Sequence, residues 1–284
     1  RPTLYIIIED NFVSHDINLN DSFTLKNGTV IKNILFKSAM SEQLGTKDHN
    51  PTKGLATLYK TWAEGGLGLS ITGNIMIDRT ALGEPKNVVL DTQSDLEPFR
   101  AWAQAGRVND SHIWTQLNHP GKQIPNFITK EPVAPSAIAL ENGLEKGFNQ
   151  PRALTEPEIL EIINKFATAA ELSKQAGFTG VQIHGAHGYL VDQFFWEGTN
   201  QREDEYGGDL VARTRFACEI VSAIRERVGP DFPIIFRFSQ WKQQDYSARL
   251  ANTPEELDAF LKPLVNAGVD IFHCSTRRFW EPEF

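Results

Sequence analysis

His184-Gly185-Ala186-His187-Gly188-Tyr189 places two imidazoles and a phenol within six residues, separated by side chains too small to screen them. Such a set offers hydrogen-bond donors to an oxygen that gains negative charge, with an acid beside them. Two rival uses compete with that one. A His-Gly turn can be purely structural, and H-x-x-H can be half of a zinc site, although no third ligand presents itself in the sequence. The position of the stretch favours chemistry. Val181-Gln182-Ile183 is a short run preceded by Ala176-Gly177, which reads as a helix stop, so His184 falls at the C-terminal tip of a strand. Open α/β sheets and α/β barrels both build their sites at such tips.

The elements that must position this stretch alternate along the chain. Lys26-Asn27-Gly28, between Phe23-Thr24-Leu25 and Thr29-Val30-Ile31, is a hairpin signal, and residues 1–33 read as an N-terminal appendage. Ile34-Leu35-Phe36 then runs as a strand into Lys37-Ser38-Ala39-Met40-Ser41. Asn50-Pro51-Thr52 opens a helix that Gly65-Gly66 stops, and Leu69–Thr72 is a second strand ending in Gly73-Asn74. A helix with Leu96, Phe99, Trp102 and Ala103 on one face precedes strand three, His112–Leu117. Residues 118–154 form a connection long enough to border a site. Thr155-Glu156-Pro157-Glu158 is a capping box, followed by an apolar face of Leu160, Ile163, Phe166 and Ala167. After strand four at Val181–Ile183 come a helix over 210–228, a strand over Pro233–Phe238, a second capping box at Thr253–Glu256 and a sixth strand over Val269–Cys274.

Strands that alternate with amphipathic helices imply a parallel sheet of βα units, and their unbroken apolar character implies burial on both faces. An open doubly wound sheet and a barrel both satisfy this. No Gly-x-Gly-x-x-Gly follows the first strand, and polar groups recur at successive strand tips: Ser38–Ser41, Asn74, Gln116, His184 with His187, Arg237, and Cys274-Ser275. One ligand ringed by loops requires that recurrence, so the pattern predicts a (β/α)8 TIM barrel with an N-terminal β-hairpin, the whole of 1–284 forming a single domain.

Formal charge of −8 disfavours a nucleic-acid surface, whose phosphates call for clustered Lys and Arg. Two distant cysteines, Cys218 and Cys274, make no disulfide framework and fit a reducing compartment. The longest apolar run, near Leu4–Ile8, is too short to cross a membrane, so a cytoplasmic enzyme without membrane contact is the expectation. A homo-oligomer is left open.

In order along the chain, the motifs resemble those of the Old Yellow Enzyme family of FMN-dependent NAD(P)H oxidoreductases, or ene-reductases. The similarity runs from Leu25 through Lys37-Ser38-Ala39-Met40 and Gly68-Leu69-Ser70-Ile71-Thr72-Gly73-Asn74. It continues through Gln116-Leu117-Asn118-His119-Pro120-Gly121-Lys122 and His184–Leu190, to Asn200-Gln201-Arg202-Glu203-Asp204-Glu205-Tyr206-Gly207-Gly208 with Arg213 and Arg215. The resemblance implies FMN in the barrel mouth, reduced by NADH or NADPH, and hydride transfer to the β-carbon of an enone-type small molecule. It implies that His184 and His187 hold the substrate's carbonyl oxygen, a role worth about 3–4 kcal/mol per donor, and that Tyr189 protonates the α-carbon as general acid. The remaining positions fall to the flavin. Arg237, inside Ile-Ile-Phe-Arg-Phe, needs an anionic or polar partner, and reduced flavin supplies one near N1 and O2; its alternative is an internal ion pair. Gln116 suits the pyrimidine edge because it donates and accepts, Ser41 approaches O4, and Ser38, Ala39, Met40 and Asn74 contact the ring. Arg202–Gly208 reads as a structural loop network.

The sequence departs from the family at Gln43, where one branch has a tyrosine, and at Asn118, where another has a tryptophan. The expected strands seven and eight, whose loops bind the FMN phosphate, do not follow strand six, so the barrel is expected to be truncated there. The chain then reads as a fragment of a longer protein or as a degenerate, non-catalytic flavin-binding or scaffold relative. Intact capping boxes and site residues favour the fragment. Dienoyl-thioester reductases of the superfamily carry clustered cysteines for an iron–sulfur centre, which this sequence lacks.

Overall fold

The computed structural model describes residues 18–278, 280 and 283–284. The apolar run Leu4–Ile8 and the first half of the appendage lie outside the described residues. The Asn-Gly pair closes a hairpin: β1 (Phe23–Thr24) pairs antiparallel with β2 (Val30–Ile31), and Gly28 adopts φ 86°, where a side chain would strain the backbone.

The parallel sheet begins with β3 (Phe36–Lys37) and β4 (Leu69–Met76), with the short β5 (Val88–Val89) paired to the end of β4. It continues through β6 (His112–Asn118), passes over a separate small pair, β7 (Val133–Ala134) and β8 (Arg152–Ala153), and ends with β9 (Val181–Gly185), β10 (Ile234–Phe238) and β11 (Ile271–Cys274). Across the sheet the order is β3-β4-β6-β9-β10-β11, the order of the chain itself. A doubly wound sheet reverses its strand order at a switch point, where its ligand binds. Here the order never reverses, and the sheet is a half-barrel of successive βα units.

The helices that link the strands are α1 (Lys53–Glu64), α2 (Leu96–Gly106), α3 (Glu156–Gln175), α5 (Arg215–Val228) and α6 (Pro254–Ala267); a six-residue helix, α4 (Leu190–Phe195), follows β9 directly. Thr155 and Glu158 form the capping box, with the Thr155 N–H donating to Glu158 Oε2 at 2.8 Å, and Thr253 Oγ1 accepts from the Glu256 N–H at 3.2 Å. The buried stripe of α3 is Ile159, Ile162, Ile163 and Phe166, whereas Leu160 is 52% exposed, one step off the face expected of it. That stripe packs with Ile183, Phe194, Phe216, Ile220, Phe236 and Phe260 into the main core between sheet and helices. Burying a side chain of this size contributes about 1.5–3 kcal/mol.

β4 runs four residues past Thr72, its expected end. Its pairing with β6 slips between Ile71 and Asn74, and Gly73 sits at the slip, where a Cβ would lie 2.5 Å from Met40 O. The missing side chain lets the tip of β3 lie against β4. No described helix is long and apolar enough to cross a membrane.

Candidate active site

Register sets the site. His184 on β9 is paired with Arg237 on β10, and Arg237 with His273 on β11, so three nitrogen-rich side chains share one level and one face. Two residues earlier, Gln182 on β9 is paired with Gln116 on β6, itself paired with Asn74 on β4. A hydrogen-bond chain crosses this face. Gln116 Nε2 donates to Gln182 Oε1 at 2.8 Å, Gln182 Nε2 lies 3.0 Å from His273 Nδ1, and His273 Nε2 lies 3.3 Å from Ser38 Oγ.

Beyond β9 the backbone turns through two left-handed residues, His187 at φ 62° and Gly188 at φ 77°. This is costly for a histidine, and the turn is held from three sides. The His187 N–H donates to Ser239 Oγ (3.0 Å), its carbonyl accepts from Gln123 Nε2 (2.9 Å), and the Gly188 N–H donates to Asp192 Oδ2 (2.7 Å). Asp192 is buried on α4 and paired with the buried Lys242 Nζ at 2.5 Å. The turn delivers His187 Nδ1 to within 3.2 Å of His184 Nε2, and His187 Nε2 to within 2.7 Å of Ser275 Oγ. The His187 ring stacks on Trp241 (4.9 Å, 16°), and the Tyr189 ring lies 4.7 Å from that of His184. A cavity of about 290 Å³ opens beside them, lined by His187, Tyr189, Trp241, Gln123, Phe148 and Gln243 among others.

Burial dominates the electrostatics. It holds His184 well below the usual imidazole range and His187 and His273 down to about 3, with the nearby Arg237 charge acting in the same direction. All three imidazoles are neutral at ordinary pH. Burial also pushes the Tyr189 phenol up, helped by the Glu84 carboxylate, so Tyr189 keeps its proton. Arg237 is lowered to about 10 by burial alone, and among the described residues no carboxylate pairs with it. The internal ion pair considered for it is therefore absent there.

Three buried polar atoms on this face, His184 Nδ1, Arg237 Nε and Asn118 Oδ1, meet no hydrogen-bond partner. Native interiors satisfy nearly all such atoms, and an uncompensated buried guanidinium calls for an anionic or strongly polar ligand. A group with polar edges that accumulates negative charge fits this donor set, as FMN would.

His184, His187, Tyr189 and Arg237 come together here, and Gln116 and Ser38 join through Gln182 and His273. Ala39 packs against Leu25, Ile71, Trp114 and Ile235. Met40 is 54% exposed, Ser41 Oγ donates to Glu84 Oε2, and Asn74 Oδ1 accepts from Asn87 Nδ2; Ser41 and Asn74 line a small recess with Gly73, apart from the cavity beside His187. Ser275 is one of the polar strand tips expected from the sequence, whereas Gln182, His273 and the Asp192–Lys242 pair were not expected at the site. Period-two counting back from His184 and Ser275 reaches Gln182 and His273; nothing local marks the loop that carries Trp241 and Lys242. The 118–154 connection does border the cavity, through Gln123 and Phe148. It is pinned by the Lys122 ammonium donating to Ile138 O (2.9 Å) and by Arg202 Nη1 donating to Pro135 O (2.8 Å) and Leu154 O (2.6 Å), the structural use expected of the Arg202–Gly208 segment.

The model of the NADH:flavin oxidoreductase / NADH oxidase family matches residues 18–280. The chain belongs to that family. It is 34% identical over 277 residues to the NADH-dependent flavin oxidoreductase iliE of Hypocrea jecorina, covering 91% of this chain and 68% of that protein. To the NADH oxidase of Thermoanaerobacter brockii it is 39% identical over 254 residues, covering 87% of this chain but only 37% of that protein. Among solved structures, the old yellow enzyme homologue from Zymomonas mobilis superposes with a TM-score of 0.79 at 28% identity, covering 90% of this chain and 72% of the other. Morphinone reductase in complex with tetrahydroNAD gives 0.80 at 26%, covering 90% and 73%. The half-barrel sheet is thus of TIM-barrel type, and the class is that of an NAD(P)H-dependent oxidoreductase with FMN as cofactor.

Proposed function

We propose that this protein reduces the activated C=C bond of α,β-unsaturated carbonyl compounds, taking hydride from NADH or NADPH. The observation that carries this is the pair of unpartnered buried nitrogens, His184 Nδ1 and Arg237 Nε, on one face beside a cavity that Tyr189 lines. In this reading Arg237, Gln116, Ser38, Ala39, Met40, Ser41 and Asn74 hold FMN, within a single domain whose six main strands are the first six of a (β/α)8 barrel. When bound, FMN would carry hydride from the nicotinamide to the alkene.

The protein's own residues supply the rest. A carbonyl oxygen held at the His184/His187 pair gains negative charge as the alkene accepts hydride, and neutral imidazole N–H groups stabilise that charge without having to be ionised. Tyr189 keeps its proton at ordinary pH and gives it to the α-carbon, which completes the addition of H⁻ and H⁺ across the double bond. Trp241 and Phe148 narrow the cavity and exclude water from the forming enolate. The uncompensated charge of Arg237 draws electron density toward its side of the site.

The test is anaerobic reduction of the FMN-loaded protein by NADH or NADPH, followed by mixing with 2-cyclohexenone. Saturated ketone formed in step with reoxidation supports the function. Flavin that binds and is reduced but hands nothing to the enone refutes it, and a protein that takes up no FMN would instead favour a non-catalytic scaffold.

A further inference from the structure

One phenol oxygen ties together the two ends of the segment assigned to the flavin. Tyr59 on α1 is fully buried, with its ring edge-to-face against Trp62 and Trp102. Its Oη donates to Glu42 Oε1 at 2.5 Å and accepts from Lys37 Nζ at 2.8 Å and from the Gly73 N–H at 3.0 Å. A phenol has one proton and two lone pairs, so this oxygen is fully used. Lys37 ends β3, and its bond to Tyr59 falls immediately before Ser38; the bond from Glu42 falls immediately after Ser41. Beyond Lys37 the chain leaves the sheet, and residues 38–44 have no regular secondary structure.

The contact draws two charges inward. The Lys37 and Glu42 side chains are 9% and 11% exposed and 3.5 Å apart, and Lys37 Nζ also donates to Ile71 O at 2.8 Å. Desolvation offsets most of what such an ion pair gains, so what it supplies is geometry. Burial brings the Lys37 ammonium down to about 8 against the pull of Glu42. Burial and the Glu42 carboxylate together raise the Tyr59 phenol, which keeps the proton it donates. Gly73 completes the arrangement. A Cβ there would collide with Glu42 Oε2, so the slip between β4 and β6 admits the carboxylate and presents an N–H to the phenol.

We propose that Tyr59, with Lys37 and Glu42, brackets Ser38–Ser41 and holds that segment where it meets FMN. These three are positioning residues and lie outside the cavity beside His187. The effect on FMN rests on the flavin contacts proposed above for Ser38–Ser41; the bracket itself does not.

Tyr59→Phe deletes the oxygen and keeps the ring. Limited proteolysis of the apoprotein reads the bracket without flavin, because trypsin cuts after Lys37 and a glutamate-specific protease after Glu42. Both bonds are expected to be cut about tenfold faster in Tyr59→Phe than in the wild type, as local opening becomes easier. Tyr206→Phe removes a phenol bonded to Glu219 at 2.8 Å elsewhere in the fold, and is expected to leave both rates unchanged. Flavin titration reads the effect on the cofactor. Tyr59→Phe is expected to weaken FMN binding about tenfold, and adding Ser41→Ala to cost less than the product of the two separate losses, because both act through one segment.

Unchanged cleavage at Lys37 and Glu42 overturns the bracket. Faster cleavage with unchanged FMN affinity, or losses that multiply in full, overturns the positioning role. If Tyr59→Phe does not fold, Glu42→Ala releases one end of the segment and is read by chymotrypsin after Leu44 and by FMN titration, with the same outcomes deciding. FMN-loaded protein that leaves an enone unreduced refutes the proposed reaction and leaves the bracket standing.

Discussion

Arg237 and His184 are in-register neighbours on adjacent parallel strands, and each buries one nitrogen, Nε and Nδ1 respectively, that meets no hydrogen-bond partner. Strand pairing fixes the two side chains on one face, so a single ligand can meet both nitrogens at once. Replacing Arg237 by Met removes a largely buried charge that, among the described residues, no carboxylate offsets. The apoprotein is expected to gain up to about 1–4 kcal/mol, as buried charges exchanged for apolar side chains can. FMN binding is expected to weaken tenfold or more, about 1.4 kcal/mol per factor of ten. Thermal melts of the apoprotein and flavin titrations check both. A variant that melts lower and binds FMN unchanged would contradict the role given to Arg237.

Tyr189→Phe should separate the two half-reactions. The phenol is half-buried, retains its proton and stands 4.7 Å, ring to ring, from His184. Its removal is expected to slow enone reduction about 10²–10⁴-fold, the range for a lost general acid, while reduction by NAD(P)H stays near the wild-type rate. Stopped-flow measurement of each half-reaction decides it; equal losses in both would rule out the proton-donor role.

His184→Ala removes the donor nearest the proposed oxygen site. Enone reduction is expected to fall about 10²–10³-fold, and phenol, whose oxygen imitates an enolate, is expected to bind more weakly. Unchanged phenol affinity would count against these donors. Because His187 titrates at about 3 and His184 is also held low, no histidine step is expected in the wild-type rate between about pH 5 and 8.

Asp78, just beyond β4, reaches Lys165 of α3 at 2.7 Å. Burial alone would raise its carboxyl, but hydrogen bonds from Lys165 and Thr80 outweigh it and bring it to about 2. A carboxylate below its unfolded value adds stability above about pH 4 and loses it as pH falls toward 2. The contribution is at most about 2 kcal/mol after allowance for solvent screening. Asp78→Asn should therefore lower stability at pH 7 and flatten the acid limb of the profile, as urea melts across pH would show.

Most of the frame could be read from the sequence because strong local signals coincided. Asn27-Gly28 made the hairpin, Thr155 with Glu158 and Thr253 with Pro254 opened α3 and α6, and apolar runs between them made the strands. α4 escaped notice because six residues are too few to show a helical period against a background of buried side chains. At the site, His184, His187, Tyr189 and Arg237 stood out because polar residues in apolar strands, or clustered at a strand tip, demand a partner. Ser275 was legible only as one more polar strand tip, and the Asp192–Lys242 pair not at all, because their partners lie tens of residues away in sequence and only the fold brings them together.

The walls of the cavity and the row of strand-tip side chains are fastened separately. Phe148 stands on a connection tied down by Lys122 and Arg202 to backbone carbonyls, and Gln243 follows a lysine locked to Asp192, whereas His184 and Arg237 are held by the sheet. Mutation at Phe148 or Gln243 can thus reshape what fits without moving the atoms that react. Such a division lets one scaffold drift between substrates over evolutionary time, and it marks those two positions as the first to randomise in a search for new selectivity.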